Sequence, residues 1–82
     1  MNYEKIILDI ITPLVNEPSK LKVIPLDQDN LYETTYIIYC DESDIARLIG
    51  KKGAVAEAIR EVVNASAKLD SKKIRLKFEV KK

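Results

Sequence analysis

The chain has 82 residues, 46% of them hydrophobic and 33% charged, which suits one small domain with a modest core and leaves no room for a second. Its 14 Lys and Arg nearly balance its 13 Asp and Glu, for a formal net charge of +1, and it contains no histidine. The missing imidazole excludes Ser-His-Asp and Cys-His catalysis and any histidine-ligated metal. Cys40 stands alone, so no internal disulfide forms, which fits a reducing compartment.

The apolar runs fall far short of a membrane span. Glu4, Lys5 and Asp9 in the first segment are unlike a secretion signal. The sequence is therefore read as one soluble, cytoplasmic domain over residues 1–82, small enough to gain from a partner subunit. Charge is distributed unevenly. Residues 1–40 hold three Lys or Arg against six Asp or Glu, and residues 41–82 hold eleven against seven. Any anion-binding surface belongs to the second half.

From Tyr3 to Val15, Ile6, Ile7, Ile10, Ile11 and Leu14 recur at helical spacing. Pro13 sits near the end of that segment, and Asn16-Glu17-Pro18-Ser19 reads as the following turn. Leu21 to Leu26 reads as a short strand, placed at a sheet edge because Pro25 lacks a backbone donor. After the turn cluster Asp27-Gln28-Asp29-Asn30, Leu31 to Cys40 is rich in Tyr, Thr and Ile and predicts the central strand. Thr34, Tyr36, Ile38 and Cys40 share one face; Glu33, Thr35, Ile37 and Tyr39 share the other. The adjacent pair Ile37-Ile38 suggests burial on both sides.

Asp41-Glu42-Ser43-Asp44 is an acidic, capping start to a short helix whose apolar stripe is Ile45, Leu48 and Ile49. Gly50 ends it. A second helix spans about 54–69, with Val55, Ala58, Ile59, Val62, Val63 and Ser66 at helical spacing, and Asp70-Ser71 breaks it. Lys73 to Val80 alternates cleanly, with Ile74, Leu76, Phe78 and Val80 inward. The order helix, strand, strand, helix, helix, strand predicts an α+β fold: a three-stranded mixed sheet with three helices on one face. The two helices between the last strands permit a parallel pairing.

The stretch with chemical content is Ile45-Ala46-Arg47-Leu48-Ile49-Gly50-Lys51-Lys52-Gly53-Ala54-Val55. Two glycines bracket two lysines between amphipathic helices. Glycine removes side chains where another backbone would approach. The second glycine opens a helix whose free amides and positive dipole end favour a phosphate, and the lysines add cationic donors.

This pattern, with Ile59 beyond it, resembles the helix-GxxG-helix core of KH domains, and the element order resembles their type II arrangement. Length and flanks resemble the small bacterial KH-domain RNA-binding proteins of the KhpA family. The resemblance implies binding of single-stranded RNA, with Gly50, Lys51, Lys52 and Gly53 holding phosphates and clamping about four nucleotides. It further implies a groove for bases walled by Ile45, Ala46, Ile49 and Val55, with the strand around Ile38 opposite. Many relatives have glycine where Ala46 stands, which narrows that approach here. The family is not enzymatic and needs no cofactor or metal. Its members self-associate or pair with a larger KH-containing bacterial protein, bind many RNAs, and influence cell elongation and division.

Plain alternatives stand beside these readings. The loop has the composition of an ordinary helix-helix turn with solvated lysines. Leu48 and Ile59 read as core, while Ile45 and Val55 are divided between core and groove. Arg47, one turn before the loop, is assigned to phosphate, and Arg60 to solvent. The row Lys73, Arg75 and Lys77 reads as the wet face of a strand before a phosphate track. Tyr32, Tyr36 and Tyr39 read as packing residues, and Cys40 as a small buried hydrophobe. The competing function is a protein-interaction module that self-associates through the small residues of the second-half helix, including Ala58, Val62 and Ala65.

Overall fold

The computed structural model describes residues 2–26 and 32–81. The predicted turn at 27–30 and the predicted strand start at Leu31 lie outside the described residues. The elements follow the predicted order: α1 (Tyr3–Ile11), β1 (Lys22–Leu26), β2 (Glu33–Cys40), α2 (Glu42–Ile49), α3 (Ala54–Ala67) and β3 (Lys73–Val80). The sheet runs β1-β2-β3. β1 is antiparallel to β2, and β3 is parallel to it with Ile38 opposite Phe78. Among the described residues, no helix is long and apolar enough to cross a membrane.

One face of the sheet carries the core. Thr34, Tyr36, Ile38, Cys40, Ile74 and Leu76 are buried. Ile7 and Ile11 of α1, Leu48 of α2, and Ile59, Val63 and Ala67 of α3 complete the same cluster. Burying each large aliphatic side chain stabilises the fold by roughly 1.5–3 kcal/mol before entropy is charged against it. The other face is uncovered. Ile37, predicted to be enclosed on both sides, lies between Ile24 and Lys77 in the cross-strand register on that open face and is only half-buried. A one-layer sheet with all helices on one side leaves it no second partner.

Two helix ends and one helix face also depart from the periodicity. α1 stops at Ile11 rather than Val15 because Pro13 cannot donate to the helix. Thr12–Leu14 tightens into a 3-10 turn, the Thr12 hydroxyl donates to the Leu8 carbonyl at 2.6 Å, and Leu14 is exposed. α3 ends at Ala67, and Lys68–Asp70 forms another 3-10 turn closed by Ser71 at φ 53°. The buried side of α3 is Ala56, Ile59, Val63 and Ala67, so Ala58 and Val62, which share the apolar spacing and also read as a self-association surface, face solvent. The small residues Ala56 and Ala67 let α3 approach the core, and the apolar spacing, which shares Ile59 and Val63 with the buried side, is centred less than a quarter turn away from it.

Long-range polar contacts fix the connections. Asp44, read from sequence as part of a cap, is fully buried. Its carboxylate accepts the Asn16 amide at 2.9 Å and the Glu17 amide at 3.0 Å, which ties the α1–β1 linker to α2. The capping role falls to Asp41, which accepts from the Ser43 amide at 3.1 Å. Those Ser43 hydrogen bonds lower the Asp41 pKa. The Tyr3 hydroxyl donates to Asp70, joining α1 to the turn before β3.

Candidate nucleic-acid interface

The two glycines of the loop have different physical duties. α2 ends where the Gly50 amide reaches the Ala46 carbonyl at 2.8 Å. Gly50 then takes φ +76°, and a Cβ there would sit 2.8 Å from the Val55 amide nitrogen and in collision with the Val55 side chain. Gly53 takes φ +78°, yet a Cβ there would meet nothing within 4 Å. Gly50 is required by packing as well as by backbone geometry. Gly53 leaves the approach to the start of α3 open.

Lys52 also has positive φ, 56°, so three of the four loop residues sit in the left-handed half of conformational space. A lysine held there costs about 1 kcal/mol or more, and such strain concentrates at functional loops. Lys51 and Lys52 are exposed. They open a 3-10 turn closed by the Gly53 amide on the Gly50 carbonyl at 3.2 Å. The first amides of such a turn have no acceptor inside it. The 14-residue α3 follows at once, with the positive end of its dipole at Gly53. Free amides, two lysine ammoniums and a helix start thus share one solvent-facing turn.

The remaining predicted residues divide. Arg47, Ala46 and Ile49 are exposed on α2 before the loop. Ile45 and Val55 are half-buried and packed on the core, so each offers only part of its surface. Ile38 is corrected: it is wholly enclosed on the central strand and has no surface for a base. The strand beside α2 and α3 is β3. Its Phe78, the register partner of Ile38, is partly exposed.

A concave surface also lies between α3 and β3, a trough of about 780 Å³ that reaches from Glu57, in the first turn of α3, to Asn64 and Lys73. Arg60, read as solvated, crosses it. Its guanidinium donates to the Leu76 carbonyl at 3.4 Å, pairs with Glu57 at 3.6 Å and lies 5.9 Å from the Phe78 ring centre. Asn64 braces the same strand. Its amide group donates to the Ile74 carbonyl at 2.9 Å and accepts the Ile74 amide at 2.8 Å. The sequence signal for these two was thin: two polar side chains four apart on a helix, next to a strand whose outer edge must be satisfied.

The comparisons with known proteins agree with this fold. Residues 4–78 match the family described as KhpA/KhpB, KH domain. The chain belongs to that family. RNA-binding protein KhpA of Listeria monocytogenes is 39% identical over 75 residues, covering 92% of this chain and 96% of the relative. The proteins of that name from Bacillus subtilis and Streptococcus pneumoniae are 36% and 35% identical, covering 94% and 95% of this chain and 90% and 95% of theirs. This KhpA/KhpB family is one of binding proteins and not of enzymes. Among solved structures, a crystal structure of Era in complex with MgGDPNP and nucleotides 1506–1542 of 16S ribosomal RNA superposes with TM-score 0.65. It covers 95% of this chain and 29% of that longer one, and at 19% identity it speaks for the KH-type fold alone.

Proposed function

We propose that this KhpA/KhpB-family chain binds single-stranded RNA in the cytoplasm, gripping the sugar-phosphate backbone at Gly50–Gly53. The observation that carries the reading is the loop itself. Open space over Gly53, the exposed Lys51 and Lys52, and the start of α3 coincide on one turn. Bases lie against the exposed apolar surface of Ala46 and Ile49 and the partly exposed Ile45 and Val55, with Arg47 adding a cation. Sequence specificity is low, because phosphate contacts carry no base information. The family likeness supports RNA as the ligand and extends the reading to an RNA chaperone or post-transcriptional regulator acting on cell elongation and division.

The test is Lys51→Asp with Lys52→Asp. Aspartate tolerates the positive φ of Lys52 better than most residues, so the variant folds. Titration of labelled single-stranded RNA is expected to show binding lost. A folded double variant with undiminished affinity refutes the assignment.

A second reading rests on a separate observation. α3 leaves Ala58, Val62 and Ala65 exposed along its outer side, with Val62 53% accessible, and Leu69 in the turn beyond it is 82% accessible. Such a stripe suits pairing with another copy or with a larger KH-containing bacterial protein. Light scattering with and without RNA separates the two functions, and Val62→Lys is expected to abolish association while sparing RNA binding.

A further inference from the structure

We propose that the open face of the sheet, opposite the helices, is a docking surface for an amphipathic helix of another protein, one that carries carboxylates along one flank. The inference is separate from the loop reading, since neither Gly50–Gly53 nor the exposed stripe of α3 belongs to this face.

The strand register draws the surface. Three rows cross the sheet from β1 to β3, Lys22-Tyr39-Glu79, Ile24-Ile37-Lys77 and Leu26-Thr35-Arg75, and a fourth pairs Glu33 with Lys73. Ile24 and Leu26 are exposed, and Ile37 and Tyr39 are half-buried. The helices all pack on the other side. A sheet face left to water ordinarily turns polar side chains outward, and an edge strand is ordinarily defended by charge. β1 is an edge strand, yet it presents Ile24 and Leu26 outward with Lys22 beside them. The preference of strands for β-branched residues accounts for Ile24, Thr35 and Ile37, but not for Leu26 or for an apolar pair on an edge.

Charge decides the occupant. β3 lines the opposite margin with Lys73, Arg75 and Lys77, all exposed. Among the described strand residues of this face, the acids are Glu33, paired with Arg75, and Glu79 at one corner. With Lys22, four cations stand against two acids, an excess of +2 on a chain whose net charge is +1. A symmetric contact lays a patch on its own copy, so a second copy would set the cationic row against like charge or against Ile24 and Leu26. A nucleic-acid strand would find cations but little to stack on. The middle of the face is aliphatic, and Tyr39 is the one aromatic ring among its described strand residues. A helix with aliphatic side chains on one flank and carboxylates on the other satisfies both margins.

The dimensions agree. Two strand spacings put β1 about 10 Å from β3, the breadth of one helix with its side chains. From Glu33 to Tyr39 the sheet runs about 20 Å, the length of about 13 helical residues. Successive cations on β3 stand about 6.6 Å apart, close to the turn of about 5.4 Å at which helical carboxylates recur.

The experiment uses two synthetic peptides of about 14 residues, both with leucines at helical spacing. One carries glutamates along a flank and the other carries lysines at the same positions. Each is titrated into the isotope-labelled intact protein and followed by NMR. The acidic peptide is expected to shift signals of Ile24, Leu26, Ile37 and the β3 segment 73–77 while leaving Lys51 and Lys52 unmoved. The lysine peptide should bind at least about tenfold more weakly. Lys73→Glu/Lys77→Glu should reverse that preference, an exchange that no folding defect produces. Ile24→Ser/Leu26→Ser, at two exposed positions, should keep the wild-type core signals and weaken the acidic peptide by about tenfold or more. Absence of binding, equal affinity for the two peptides, or shifts centred on the glycine loop or on the outer side of α3 overturns the proposal. Shifts of the same sheet residues by single-stranded RNA that the acidic peptide does not displace would give the face to nucleic acid. A wild-type dimer that Ile24→Ser/Leu26→Ser dissociates would give it to a second copy, and either result overturns the acidic helix as its occupant.

Discussion

Gly50 and Val55 are in contact at a point where no side chain fits: a Cβ on Gly50 would stand 2.8 Å from the Val55 amide nitrogen. Because Val55 belongs to the first turn of α3, this contact sets how closely the end of α2 approaches the start of α3.

The contrast between the glycines gives the first expectation. Gly50→Ala combines positive-φ strain with a backbone collision and should destabilise the fold by about 2–4 kcal/mol. Gly53→Ala meets no atom and should cost about 1 kcal/mol from φ alone. Gly53→Asn, suited to the left-handed region, should cost less still. Urea unfolding of the three variants checks the ranking. Equal losses at both positions would mean that Val55 gives way.

The comparison of sequence with structure follows the same physics. The β3 strand matched its alternation residue for residue because period-two burial under one helical layer leaves a clear pattern. The glycine loop was legible because positive φ demands a residue type that spacing reveals. Three features were hidden. Ile38 was placed beside the groove by the family resemblance alone, whereas periodicity makes its strand central and so covered. Asp44 looked like a cap because its partners lie 27 and 28 residues away. The α3–β3 trough depends on Arg60 and Asn64 reaching a strand edge, a tertiary relation with no local signature.

Asp44 carries the second expectation. Asp44→Ala strands the Asn16 and Glu17 amides and opens a small cavity in a fully buried site. A loss of about 2–4 kcal/mol follows from leaving buried donors without acceptors. Asp44→Asn keeps the shape and one acceptor and should recover part of that loss. Denaturant midpoints for the two variants test the order. RNA affinity of the folded fraction should be unchanged, since Asp44 lies on the covered side of α2.

Asn64 carries the third. Its side chain occupies both polar groups of Ile74 on the outer edge of β3. Asn64→Leu should cost about 1–2 kcal/mol, because water replaces part of the lost pairing. It also uncovers a strand edge, and uncovered edges recruit other strands. Sedimentation at rising concentration is expected to show self-association in Asn64→Leu beyond that of the wild type. A variant that is destabilised but associates no more than wild type would limit Asn64 to holding α3 against β3.

Tyr3 supplies a pH signature. Burial chiefly, then the hydrogen bond to Asp70 and the charge on that carboxylate, raise its pKa from 10.0 to about 12. A phenol with a raised pKa is held in its neutral form by the fold. Its contribution to stability is therefore complete below pH 10 and is lost as pH rises from 10 toward about 12. The Tyr36 pKa is raised in the same direction by burial and by Glu4, so part of the alkaline loss belongs to it. Thermal melts across this range should show wild-type stability falling steeply, with Tyr3→Phe starting lower by about 1 kcal/mol for the missing hydrogen bond and declining more gently. Parallel slopes in the two proteins would mean that the Tyr3 phenol titrates in the folded chain as it does in the unfolded one, and that the tie to Asp70 contributes nothing specific to the neutral form.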